Sequence, residues 1–563
     1  MRHAYRAHLA GVVALVTVLL GVTAVLAGLS PGQRERLHDL SPLVPVPATT
    51  SAAAVSVVAG LLLLRVAAGL RRGKRRAWQL ATAAALAMLL AYLTRGRVAE
   101  AAAAAGLLAL LGAARTRFTA KPDPVTRWFA ARFLVGSLLL TTLAGLAALY
   151  LYPDQLDGNP PLWARLQEVL YGLVGGRGPL VLAGERFSAV LHAALVTATL
   201  LSVAAATLLA LRAPEPLAEL TASDEQRVRE LLARHGGRDS LGYFATRRDK
   251  SLLWSSSGKA AIGYRVVSGV ALVGGDPIGD PQAWPGAIAE YARIVTEHAW
   301  TPAVIGCGEL AATVFRRELG LSAFELGDEA IIEVAGFCLA GRAVRGVRQA
   351  CGRVERAGYT ASVRRAAVID AEEFARIRSA ARQWRGPGAE RGYSMALSRL
   401  GDDADGDCVL VTAHRDGQLR AVLHFVPWGP DGLSLDLMRR ERNADNGLNE
   451  FMIIQLIRAC PELGCRRLSL NFAVFRDALE RGQRIGAGPV LRAWRRLLLI
   501  ASRWWQIESL YRFNAKFRPT WQPRFLSYPH ARDLPRIILA ALQAEAFLVR
   551  PRRLARWLKL PQS

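Results

Sequence analysis

Two hydrophobic patterns divide the chain near residue 212. Before that point apolar residues run in long stretches; after it they fall into short alternating runs and helically spaced sets. The stretches 9–29, 52–70, 77–93, 98–114, 133–151 and 189–211 approach the about 20 residues that a helix needs to cross a bilayer. Residues 1–212 are therefore expected to form a transmembrane domain of about six helices, with no acid, His or Lys plainly at the centre of a span. The first stretch exceeds a signal-peptide core and lacks a clear cleavage site, so it reads as a retained helix. Arg71, Arg72, Lys74, Arg75 and Arg76, with Arg115, Arg117, Lys121, Arg127 and Arg132, concentrate on one side. The positive-inside rule makes that side cytoplasmic and places everything after Arg212 in the cytosol.

Beyond the linker Ala213-Pro-Glu-Pro216, residues 222–235 have the periodicity of an amphipathic helix closed by Gly236-Gly237. Strands are expected at 251–254, 261–267 and 270–273, then a turn at 274–280, a helix at 285–298 and a strand at 302–305. A helix at 371–383 follows, and Arg415-Asp-Gly417 marks a hairpin between strands 407–412 and 419–426. In the next strand Leu433, Leu435 and Leu437 alternate with Ser434, Asp436 and Met438, so one face is apolar and the other carries a carboxylate. A polar loop at 439–447, a helix at 448–459 and a strand at 466–470 complete the series.

Strand, polar loop, helix, strand thus occurs twice, and it is the heart of an N-acetyltransferase-like acyltransferase fold. The expected fold class is an α-helical membrane domain plus an α/β cytosolic domain of two tandem N-acetyltransferase-like (GNAT-like) lobes, at 213–365 and 366–545. A basic amphipathic tail, 546–563, would meet anionic lipid or pack on the domain as a solvated helix. Acyl-CoA pyrophosphate is normally gripped by a glycine-rich loop at a helix N-terminus. Here that loop holds one glycine, Gly447, which argues against acyl-CoA as donor.

Composition narrows the partners. Lys and Arg outnumber Asp and Glu by 72 to 46, a net charge of +26, while 52% of residues are hydrophobic. A membrane protein with an anionic partner fits, whether lipid headgroups or nucleic acid. The six cysteines, Cys307, Cys338, Cys351, Cys408, Cys460 and Cys465, show neither CxxC pairs nor zinc spacing and read as reduced packing thiols. No cofactor and no metal is expected.

Several motifs, in order, resemble the aminoacyl-phosphatidylglycerol synthase (MprF-type) family over about residues 240–530. They are Asp249-Lys250, the Gly275-Asp-Pro-Ile-Gly279 turn, Gly327-Asp-Glu-Ala330, Arg391-Gly-Tyr-Ser394, Asp436-Leu-Met-Arg439, and the run from Tyr511 through Lys516-Phe517 to Trp521 and Arg524-Phe525. Leu468-Ser-Leu-Asn-Phe-Ala473 and Ser502-Arg-Trp-Trp505 look most like the actinobacterial lysyl branch, in which a lysyl-tRNA synthetase is often fused downstream. The chain shows no such segment before Ser563, so a separate synthetase is expected to supply the donor.

The resemblance implies a bacterial multi-pass membrane enzyme that moves an amino acid, commonly lysine and sometimes alanine or arginine, from aminoacyl-tRNA to phosphatidylglycerol and so confers resistance to cationic peptides. Transfer to another acceptor is the alternative, as is a lipid flippase or scaffold with an inactive acyltransferase domain. Asp436 would then orient the lipid hydroxyl or hold the aminoacyl ammonium, or else pair with Arg439 or Arg440. Arg439 and Lys516 would stabilise phosphate or oxyanion charge. Asp328 and Glu329, expected in a loop before a strand at 331–334, would recognise a lysine side chain or act as turn carboxylates. Asp276 would bind substrate or cap a helix. His424 is either a base or a satisfied core histidine. Tyr511, Trp504 and Trp505 would stack on the tRNA adenine, line a lipid entry, or pack in the core.

Overall fold

The computed structural model describes residues 2–29, 59–474 and 507–548, excepting 65, 68, 94–95, 119, 121–123, 212–214, 217, 387 and 389. Trp504, Trp505 and the basic tail from 549 onward lie outside the described residues, as does 52–58 of the second expected span. The chain divides into two compact units, the first Met1–Pro214 with Thr296–Trp300 and the second the remainder from Glu215.

In the first unit helices run over Arg2–Leu29 (α1), Arg75–Leu93 (α2), Val98–Ala113 (α3), Pro124–Leu151 (α4), Leu162–Leu173 (α5) and Glu185–Ala210 (α6). Among the described residues three stretches are long and apolar enough to cross a membrane: Arg75–Leu93, Trp128–Leu151 and Glu185–Thr207. The stretch expected at 98–114 does form a helix, but its 16 residues rise only about 24 Å against a hydrocarbon core of about 30 Å. Inside α6 lies an ionisable group the apolar pattern did not single out. His192 Nε2 is 3.1 Å from the Glu168 carboxylate of α5, which is almost fully buried and also accepts from Leu180 N.

In the second unit, Ala222–His235 (α7) starts where Thr221 accepts a hydrogen bond from Asp224 N, an N-cap that satisfies a first-turn donor. Strands Ser251–Trp254 (β1), Ala260–Val267 (β2), Val270–Gly274 (β3) and Ile278–Gly279 (β4) follow, then Trp284–His298 (α8), Thr301–Cys307 (β5), Glu309–Leu319 (α9) and Ser322–Glu333 (β6). The second half runs Arg345–Arg356 (α10), Tyr359–Arg365 (β7), Ala371–Arg385 (α11), Val409–Arg415 (β8), Gln418–Trp428 (β9) and Gly432–Arg440 (β10). It ends with Leu448–Ala459 (α12), Arg467–Val474 (β11), Ile507–Ala515 (α13), Thr520–Tyr528 (β12) and Leu534–Ala544 (α14). Asp416 and Gly417 take positive φ, as a tight hairpin requires, so β8 and β9 are joined there as expected.

One mixed sheet runs through this unit in the order β1-β2-β3-β5-β12-β6-β11-β10-β9-β8-β7, with β4 beside β2. Its centre is an exchange. β6 pairs antiparallel with β11, β12 pairs antiparallel with β5, and the two lie against each other along Thr520–Tyr528. The expected break between 365 and 366 falls beside β7, and β7 is hydrogen-bonded to β8 throughout, on the far side of that break. Asp328 and Glu329 lie within β6, not in a loop before it.

The sheet is covered on two faces. On one, Val347, Cys351 and Val354 of α10 and Phe451, Met452 and Leu456 of α12 pack against Leu423, Phe425, Leu433 and Leu435. On the other, Ile377 and Ala381 of α11 meet Leu410 and Val422, while Tyr393 and Leu397 meet Val426. All six cysteines are free, five of them buried.

Candidate active site

β10 and β11 are parallel neighbours for only three residue pairs, ending at Ser434 and Ser469. Beyond them the strands part. β10 bulges between Leu435 and Leu437, which makes Asp436 the extra residue, and a bulge re-aims side chains where pairing stops. On β11, Asn471 takes a left-handed conformation (φ 66°) and its side-chain amide reaches back to Leu435 O. Around this opening the Ser434 hydroxyl, Asn471 Oδ1 and Asn514 Oδ1 are buried without hydrogen-bond partners among the described residues. Buried polar atoms are nearly always paired, so a cluster of unpaired ones at a strand opening marks a place for a polar ligand.

Asp436 does not reach Arg439 or Arg440. Its carboxylate lies 2.6 Å from His424 Nδ1 and accepts Leu397 N, and both side chains of the pair are buried. Burial disfavours the charged imidazole, but the Cys408 sulfur and the Asp436 carboxylate outweigh it and push the His424 pKa up to about 10. The pair is thus an imidazolium–carboxylate dyad at neutral pH, and His424 is a satisfied buried residue. Arg439 points the same way, donating to Ala381 O at the end of α11 (3.0 Å) and to Glu390 (2.7 Å).

Glu329, Asp239 and Arg524 meet in a second buried group, with half-buried Asp276 beside it. Arg524 donates to Glu329 and, at 2.7 Å, to Asp239. Ser240 and Ser469 also donate to Glu329, and Asp276 Oδ1 accepts Gly308 N where α9 begins. Burial, with Asp239 alongside, pushes the Asp276 pKa up to about 7, while the surrounding carboxylates hold the Arg524 guanidinium firmly charged despite burial. Three carboxylates thus face one guanidinium beneath the exchanged strands. Asp328 is buried one position along β6, where strand alternation sends it to the opposite face.

Lys516 stands apart from the other two predicted catalytic residues. It follows α13, donates to Glu450 at 2.7 Å and is about half exposed, with 48% of its side chain accessible. Phe513 and Phe517 on either side pack in the core beneath α10 and α12, so Lys516 lies on the α12 side of the sheet while Asp436, His424 and Arg439 lie on the α11 side. Lys516 lines a cavity of about 470 Å³ with Arg353, Arg440, Asn446, Asn449 and Glu450. The N-terminus of α12 opens into it. Gly447 at that N-cap has φ 100° and no room for a Cβ, which would lie 2.8 Å from Ala350 Cβ. A helix N-terminus without a side-chain cap, flanked by three cations, suits a phosphate. Tyr511 stacks obliquely on Trp521, ring centroids 5.5 Å apart.

Ser434 was visible in the sequence only as the polar partner of Asp436 in the strand alternation. Arg353 sits on a helix the periodicity did not reveal, and Arg524 was visible only through the resemblance.

A mixed sheet with parting parallel strands and an uncapped helix N-terminus between them defines an acyltransferase-type fold. The family is given by the comparison with known proteins: residues 229–528 match the model described as phosphatidylglycerol lysyltransferase, C-terminal, and the chain belongs to that family. The lysylphosphatidylglycerol biosynthesis bifunctional protein LysX of Rhodococcus jostii is 41% identical over 560 residues, covering 97% of this chain and 49% of the relative. Its namesake in Mycobacterium avium is 52% identical over 333 residues, 59% of this chain and 28% of the relative. This chain spans about half the length, or less, of these relatives. Among solved structures, L-PGS from Bacillus licheniformis superimposes with a TM-score of 0.50 at 22% identity, covering 57% of this chain and 97% of that one, a likeness of fold.

Proposed function

We propose that this chain transfers a lysyl group from lysyl-tRNA to a glycerol hydroxyl of phosphatidylglycerol. The observation that carries the reading is the strand opening at Ser434 and Ser469, ringed by unpaired polar atoms, with a cationic cavity at the α12 N-terminus beside it. In the reaction the lipid hydroxyl oxygen attacks the ester carbonyl carbon, the bond to the tRNA ribose oxygen breaks, and the hydroxyl proton ends on that ribose oxygen. An ester replaces an ester, so the enzyme's task is alignment and oxyanion stabilisation. Asn471, Ser434 and the parted strand edges at the opening surround the carbonyl. Lys516 with Arg440 and Arg353 holds the terminal phosphates of the donor. The Asp436–His424 dyad fixes the bulge that shapes the opening, and Arg439 holds α11 against it.

The surroundings of the reaction are part of the same proposal. Two tandem GNAT-like lobes share the exchanged strands β6 and β12, and the first unit is a multi-pass membrane domain of a bacterial cell membrane that holds the lobes at its cytoplasmic face. A synthetase outside the described residues charges the donor in this reading. The lysylated lipid would lower surface charge and protect against cationic antimicrobial peptides.

The test is reconstitution. The full chain in phosphatidylglycerol nanodiscs, given [14C]lysyl-tRNA, is expected to yield a labelled lipid that alkali releases as free lysine. Label that stays on tRNA with correctly folded protein refutes the transfer. Label released directly as lysine by the wild-type chain indicates hydrolysis instead.

A further inference from the structure

We propose that α10 is a docking ridge for the RNA backbone of the donor. The proposal rests on the transfer reaction above and names the surface that would receive its polyanionic substrate. Val347, Ala350, Cys351 and Val354 bury one face of this helix against the core, while Arg345, Arg348, Arg353 and Arg356 stand exposed on the other, preceded by exposed Arg342. One acid, Glu355, lies on the helix, and Arg458 of α12 approaches it at 3.8 Å. The 12 residues of α10 extend for about 18 Å, a reach of several phosphates. The ridge ends in the site itself. Gly346, Val347, Ala350 and Arg353 of α10 form one wall of the cavity that Arg440 and Lys516 line.

Two anionic partners compete for such a ridge, and the apolar residues decide between them. A helix that lies on a bilayer sets Trp, Phe or Leu beside its basic face so that they enter the headgroup boundary. Among the described residues no large apolar side chain between Leu310 and Val368 stands exposed. The outward face of α10 is arginine, glutamine and glycine with the single acid Glu355, suited to charge contact without insertion. Arg348 also donates to Leu339 O and to Gly341 O at 3.2 Å, so it fixes the loop leading into the ridge. It is kept intact in the test for that reason.

The full chain in phosphatidylcholine nanodiscs is titrated with a fluorescein-labelled RNA hairpin ending in single-stranded 3′ CCA, and anisotropy is followed from ~50 to ~300 mM salt. The triple variant Arg342→Gln/Arg345→Gln/Arg356→Gln is compared with Arg234→Gln/Arg316→Gln/Arg317→Gln, which removes equal charge from the exposed sides of α7 and α9. Loss of three backbone contacts flattens the slope of log affinity against log salt by about 2, and affinity at ~50 mM salt falls at least about tenfold. The α7/α9 triple stays near wild type, and Lys in place of the three arginines restores most of the binding. Equal losses in both triples, or loss in neither, overturns the ridge. So does an effect of the α10 triple seen only in phosphatidylglycerol nanodiscs, because that assigns the face to lipid. If the α10 triple alone loses RNA while the wild-type chain makes no lysylated lipid, the ridge stands and the reaction falls.

Discussion

Replacing Asp436 by Asn should cost the folded state most of what the His424 dyad contributes. The imidazole pKa stands at about 10 in the folded chain against about 6.5 in an unfolded one. A group whose folded pKa is raised adds stability that is complete below the unfolded pKa and is lost as pH climbs through the folded one. The window is therefore pH 6.5 to about 10, and the shift of about 3.5 units corresponds to at most about 5 kcal/mol. Burial of both side chains excludes solvent screening, and breaking a buried pair costs about 3–5 kcal/mol by comparison with other proteins. A melting-temperature drop of roughly 4–7 °C at pH 7 is expected for a unit of this size, because the unfolding entropy grows with length. Thermal unfolding in detergent, run from pH 6 to pH 9.5, checks this: the wild type loses stability across the window and Asp436→Asn is both weaker and flatter. If the variant abolishes transfer yet unfolds like the wild type at every pH, Asp436 acts on substrate directly and the buried dyad is not what makes it matter.

Other consequences follow from the same geometry. Asp276→Asn removes a carboxyl whose pKa is raised to about 7, so its stability contribution is present below about pH 4 and lost as pH rises through 7; the variant should gain on the wild type between pH 6 and pH 8 in the same melts. Arg524→Ala leaves Asp239, Asp276 and Glu329 facing one another in the core and should cost about 3–5 kcal/mol, read as loss of folded protein after membrane extraction. Lys516→Ala, at a half-exposed side chain, should change stability by no more than about 1 kcal/mol while raising the KM for lysyl-tRNA at least about tenfold; an unchanged KM would remove Lys516 from the donor site.

Much of the fold was legible because local chemistry and tertiary structure agree. The Ala222–His235 and Leu448–Ala459 helices follow from spacing and from their capping or turn residues, and the Asp416-Gly417 hairpin follows from the positive φ that pair tolerates. The exchange of β6 and β12 was not legible. Thr-Trp-Gln-Pro-Arg-Phe alternates polar and apolar residues, but Pro523 argues against a central strand, and Asp328-Glu329 reads as a loop because what makes Glu329 tolerable inside a central strand is Arg524, 195 residues away. α10 was hidden by Gly346 and Gly352, poor helix formers that its buried face overrides. Asp436 does lie on a strand as expected, but its partner is His424 on the neighbouring strand rather than the arginines beside it in sequence. Which face a residue takes at a bulge depends on register, and register is set by partners far along the chain.

Whether this chain makes a cationic lipid from phosphatidylglycerol is decided by mass spectrometry of lipids extracted from cells expressing the wild-type chain and the Lys516→Ala variant at equal membrane levels. A phosphatidylglycerol species heavier by one lysyl residue, abundant with the wild type and strongly reduced in the variant, is the predicted result. No new lipid with the wild-type chain in the membrane and lysyl-tRNA present would contradict the account.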